Sequence, residues 1–106
     1  MVKIITVYWR DIPAQVMAKS GRETTKVKLS QRFMTAVDRA AMRARKVDAD
    51  AYLAEWRRVI RTCEGDDPLA EVMAEASRIE QAYGDEELDR LARAGGLRPN
   101  AEARQP

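Results

Sequence analysis

The chain has no histidine and a single cysteine in 106 residues. Without histidine the commonest metal ligand and general base is missing, so most hydrolytic and zinc chemistries lack their usual parts. The lone Cys63 has no partner for an internal disulfide. That excludes a stapled secreted scaffold and fits a reducing compartment, so the expected location is cytoplasmic. Long hydrophobic runs are missing too. Ile4-Ile5 and Val7-Tyr8-Trp9 are separated by Thr6 and ended by Arg10, far short of the ~20 residues a bilayer span needs, and no membrane association is expected. Met1-Val2-Lys3 leads into a β-type pattern without a small-residue cleavage site, so no signal peptide is expected. The glycines make no G-x-x-x-x-G-K phosphate cradle, and there is no internal repeat or heptad array.

What is present suits one small domain. The chain is 45% hydrophobic and 34% charged, enough for one thin core and not for two. Its net charge is only +2, but residues 1–61 carry 14 Lys/Arg against 6 Asp/Glu, and residues 62–106 carry 5 against 11. Such asymmetry means either partners of opposite sign for the two halves or an acidic half that folds back on the basic one.

Val2 to Arg10 is the best strand, rich in β-branched and aromatic residues. Alternation places Val2, Ile4, Thr6 and Tyr8 on one face and Lys3, Ile5, Val7 and Trp9 on the other. Both faces are largely apolar, which predicts a strand covered on both sides. Asp11-Ile12-Pro13 interrupts it, Ala14–Lys19 reads as a weaker strand, and Thr24–Leu29 alternates as a third. From Ser30 the period becomes helical: Phe33, Val37 and Ala41 recur on one side, with Arg32, Arg39, Arg43 and Lys46 opposite. Asp48 is expected to cap a second helix with Tyr52, Trp56, Val59 or Ile60, and Cys63 as its stripe. Asp67-Pro68 is an N-cap and first-turn signature for a third, whose stripe runs from Leu69 to Tyr83. Gly84 stops that helix, Asp85 starts a fourth, and Gly95-Gly96 ends it. The expected architecture is α+β, an N-terminal two- or three-stranded antiparallel β element packed by about four helices. The domain is expected to span 1–96, with 97–106 as a disordered tail.

Few residues carry chemistry. Cys63 lies on an apolar stripe with no histidine to activate it, and reads as a buried structural thiol. Glu64, Asp66 and Asp67 lack the ligand alternation of a calcium loop, and helix-start electrostatics already accounts for them. No catalytic constellation, metal site or cofactor is expected. Two candidate binding features remain. One is the basic stripe Arg32, Arg39, Arg43 and Lys46, about 20 Å long, whose plain alternative is a solvated helix face. The other is Tyr8, Trp9 and Arg10, two rings on opposite strand faces next to a planar cationic fork.

The segment Tyr8-Trp9-Arg10-Asp11-Ile12-Pro13-Ala14-Gln15-Val16, with Lys26–Phe33 and Tyr52–Trp56, resembles the small "virulence factor" domain. That domain stands alone in alphaproteobacteria and resembles part of the conserved virulence factor C of staphylococci, where helical repeats accompany it. The resemblance spans about residues 2–90 and supplies no catalytic residues. It implies an accessory role, near genes of folate and corrinoid methyl transfer. The expected function is a non-enzymatic interaction module whose partner is another protein. Its surface would combine Tyr8–Arg10 with the basic stripe. The alternatives are nucleic-acid binding through that stripe, an accessory subunit of methyl transfer, and an enzyme subunit completed by a partner with Cys63 or Arg10 contributing.

Overall fold

The computed structural model of the chain describes residues 1–98. Its elements run β1 (Val2–Trp9), β2 (Ile12–Ser20), β3 (Glu23–Lys28), α1 (Gln31–Arg43), α2 (Ala49–Leu53), β4 (Trp56–Cys63), α3 (Pro68–Ala82) and α4 (Asp85–Arg93). The fold is α+β: four antiparallel strands form one sheet in the order β3-β2-β1-β4, and four helices accompany it.

The strand at 56–63 corrects the expectation of a helix there. Trp56, Val59, Ile60 and Cys63 can be read at helical spacing, but Val59, Ile60 and Thr62 are β-branched and favour a pleated surface. The helix ends after one turn and a half, and β4 pairs along the whole of β1 from Val2↔Cys63 to Trp9↔Trp56. β1 is thereby central, which is what its two apolar faces require.

β1 and β2 are joined by Arg10 and Asp11, with Arg10 at φ 54°. The turn therefore precedes the expected break, and Pro13 lies inside β2. It is tolerated there because the β1 register slips between Val7 and Tyr8, and because β3 pairs only from Gln15 onward. At Pro13 the strand has no neighbour on its outer side to miss an N–H donor.

The even-numbered face of β1 is the core face. Val2, Ile4, Val16 and Ala18 share one buried cluster with Val72, Ala76 and Ile79 of α3. Phe33, Val37 and Ala40 of α1 join the same cluster with Trp9, Ile12 and Leu91, so α1 closes the hairpin end of the sheet and packs on α4. Each fully buried large side chain contributes about 1.5–3 kcal/mol. Asp67 caps α3 as expected, accepting from Leu69 N–H at 3.1 Å and Ala70 N–H at 3.3 Å. Ser30 does not cap α1 with its side chain; its N–H and hydroxyl instead donate to Glu80, at 2.6 and 2.9 Å.

Leu97 and Arg98, placed in the expected tail, have defined positions. The Arg98 N–H donates to Asp11 at 2.7 Å, and its guanidinium meets Glu87 at 2.8 Å. Residues 99–106, where the rest of that tail falls, lie outside the described residues.

Candidate functional site

The two features singled out from sequence meet at one point, where Arg10 and Lys46 both reach the Glu55 carboxylate. Trp9 is fully buried; its indole N–H donates to the Tyr52 carbonyl at 2.9 Å and its ring stacks on Tyr52. Arg10 is a latch, donating to Glu55 and to the Gly95 carbonyl, each at 3.1 Å. Tyr8 is half-buried on the core face beneath Arg57, whose guanidinium lies 4.6 Å from the ring centre. Burial is the main cause that raises the Tyr8 hydroxyl pKa above its usual 10.0.

Along the basic stripe, which runs through α1 to Lys46 just beyond it, acidic groups from later in the chain meet three of the four basic residues. Arg32 donates to the Glu80 carboxylate at 3.1 Å, to Asp85 at 3.3 Å and to the carbonyls of Glu80 and Tyr83. Arg39 meets Asp89 at 2.9 Å, and Lys46 meets Glu55 at 3.8 Å. Lys46 and Arg10 thus share one carboxylate. Only Arg43 has no ion pair among the described residues. It borders a shallow groove of about 360 Å³ with Arg39, Met42 and Arg93. The acidic half does fold onto the basic half. Glu80 titrates below the ordinary 4.5: burial opposes its charge, but bonds from Ser30 and Arg32 outweigh that. Asp89 is also lowered, first by the Arg39 hydrogen bond.

A different surface emerges on the odd-numbered face of the sheet. Strand register sets its side chains in three rows: Thr62, Lys3, Lys19 and Thr24; Ile60, Ile5, Met17 and Lys26; Arg58, Val7, Gln15 and Lys28. Ile5 and Met17 are buried, yet they stand outside the main cluster. Lys3, Val7, Met17 and Ile60 surround Ile5 along and across the strands. Ile60 is 59% exposed. Helix α1 borders this face only at its hairpin end, where Gln31 and Met34 help line a hollow of about 370 Å³ with Val7, Lys28 and Trp56. A second hollow, about 330 Å³, opens at the far end between Lys3, Lys19 and Thr62.

Among the described residues the face holds five cations and no carboxylate. None of Lys3, Lys19, Lys26, Lys28 or Arg58 has an ion pair among the described residues. Lys3 and Lys19 stand directly opposite each other, a like-charge pair that costs stability. Each lysine was readable in the sequence as the polar position of an alternating strand. Without β4 in the sheet, the rows that collect them around Ile5 and Val7 could not be assembled.

Chemistry of bond making is thin elsewhere. Cys63 is a free, half-buried thiol at the end of β4, packed against the core beside Val2. Among the described residues no group of three His, Cys, Asp or Glu side chains is placed to hold a metal ion. No helix among them is long and apolar enough to cross a membrane.

The family model described as "Virulence factor" matches residues 7–92. The chain belongs to that family. The virulence factor match takes in β2, β3, β4, α1, α2 and α3 and all but the last residue of α4, and leaves Lys3 and Ile5 of the odd face outside it. No curated protein and no solved structure matches the chain.

Proposed function

We propose that this virulence factor family member is a non-enzymatic interaction module that holds another protein. The open, five-cation face of its sheet carries the reading. On the side away from its core the four-stranded sheet carries Ile60, 59% exposed, over the buried Ile5 and Met17, ringed by cations without ion pairs among the described residues, an exposed apolar point within a charged rim as at an interface. The engaged states of Arg10, Arg32, Arg39 and Lys46 support a structural part for these residues, and Arg43 lies in a groove beside Ala92 and Arg93, off the five-cation face. Cys63, half-buried and unpaired, fits work in the reducing cytoplasm.

Affinity purification of the intact chain from its native cell tests this. The wild-type chain and Arg43→Glu should recover the same protein in stoichiometric amount, and the double substitution Lys26→Glu with Ile60→Glu should lose it. Retention of that protein by the double variant, or turnover of a small molecule by the isolated chain, overturns the reading.

A further inference from the structure

We infer that the partner docks as an acidic amphipathic helix laid across the odd face of the sheet, an inference that rests on the interaction reading above. The dimensions fit. Three rows two residues apart on four strands make a patch of roughly 15 Å by 15 Å. A helix about 10 Å across covers it with about three turns. The core face already shows the same sheet accepting α3 across β1, β2 and β3, so a helix on the other side supplies the missing layer of an α/β/α sandwich.

Charge selects the sign of the partner. Five cations without a carboxylate present a uniformly positive rim, so flanking glutamates or aspartates on the incoming helix gain and basic residues lose. A second copy of this chain is disfavoured by the same argument, since the faces would set cations against cations. Single-stranded nucleic acid is less well matched, because bases bind such sheets by stacking on aromatic rings. The accessible centre here is aliphatic, Ile60 with part of Val7 above the buried Ile5 and Met17, and the one ring at the margin, Trp56, is already engaged edge-on by Tyr52. The directly opposed Lys3 and Lys19 supply the independent clue: a local rule is broken at a cost, with no ion-paired acid beside them among the described residues. A patch this size falls below the area of a permanent interface, which points to a transient contact.

The test is an amide-resolved NMR titration of the full chain with a synthetic helix carrying leucines on one face and glutamates on its flanks. Its comparators are the same peptide with lysine for glutamate, and an oligo-dT strand. Binding of the acidic peptide should move the amides of Ile5, Val7, Met17 and Ile60. It should weaken about tenfold with Lys26→Glu plus Ile60→Glu, and weaken further as salt rises. Equal binding of the lysine peptide, or shifts confined to the free edge of β4, overturns the inference. If oligo-dT moves those amides and the acidic peptide does not, the partner class is wrong while the face remains a docking surface. If neither moves them, and the double variant keeps its cellular partner, both readings fall.

Discussion

Gly96 lies flat against the ring of Trp9: a Cβ added there would stand 3.0 Å from Trp9 Cζ3 and 3.3 Å from Arg10 Cβ. The contact is fixed from both sides. Gly96 N–H donates to Leu91 at 2.7 Å, and its carbonyl accepts from Asp11 N–H at 2.8 Å. The end of α4 is thereby clamped over the β1–β2 turn. Gly96→Ala meets both the ring and a backbone φ of +90°, and should cost about 2–4 kcal/mol. Urea unfolding measures it; a change below 1 kcal/mol, about half the cost of a left-handed residue alone, would show that the clamp opens without penalty.

Helix α1 ends in the same hydrogen-bond pattern as α4 but with the wrong residue. Lys46 N–H donates to Ala41 at 2.8 Å and Arg45 N–H to Met42 at 3.2 Å, with Arg45 at φ 59° where glycine is favoured. Arg45 is exposed and has no ion pair among the described residues. Arg45→Gly relieves the left-handed strain and loses part of the gain to unfolded-state entropy, leaving a net stabilisation of about 0.5–1 kcal/mol. A fall in thermal midpoint for this variant would contradict that balance.

How far the fold was legible follows from these elements. β1, β2, β3, α1, α3 and α4 each carry a local signal strong enough to read: alternation, a cap or a glycine stop. β4 did not, because Trp56, Val59, Ile60 and Cys63 fall at helical spacing and only the β-branched Val59, Ile60 and Thr62 favour a strand. Its identity is decided by the free hydrogen-bonding edge of β1, a tertiary fact. The docking face inherits that gap. Ile60 and Arg58 come to stand beside Ile5 and Val7 only through the β1–β4 register. The roles of Arg10 and Arg32 as latches were equally hidden, since their partners lie 45 and 48 positions away. For Arg32 the one hint was the opposite sign of the two halves; for Arg10 there was none, since Glu55 lies in its own half.

Acid should weaken the joint between those halves. Glu75, buried in α3, is opposed by desolvation, but hydrogen bonds from Arg61, at 2.6 Å, and Arg78 outweigh it and hold its pKa below the usual 4.5. Glu80 is lowered in the same direction. A carboxyl whose folded pKa lies below its unfolded one stabilises the fold above the unfolded value, and that stability is lost as pH falls through the folded value. The thermal midpoint should therefore hold near neutrality and drop below about pH 4.5. In Glu75→Gln with Glu80→Gln it should start lower and fall less steeply. Parallel curves for the two proteins would refute the assignment.

The cations of the open face should be expendable for folding and costly for it where they oppose each other. Lys19→Glu turns the cross-strand Lys3–Lys19 pair into an attractive one and should raise stability by about 0.2–1 kcal/mol. A lower midpoint than wild type would mean that Lys19 serves the fold rather than a partner.

The two faces of the sheet make the sharpest contrast. Ile4 and Ile60 are both strand isoleucines, but Ile4 is 1% exposed in the main cluster and Ile60 is 59% exposed among lysines. A glutamate at position 4 would bury an unpaired charge, and Ile4→Glu should leave the chain largely unfolded, a loss of more than about 4 kcal/mol. Ile60→Glu changes strand propensity and little else, so its cost should stay under about 1 kcal/mol, offset in part by the nearby cations. Circular dichroism melts of the two variants side by side decide the matter. Equal damage from both would mean that the odd face is packed like a core, and it would remove the free surface on which docking depends.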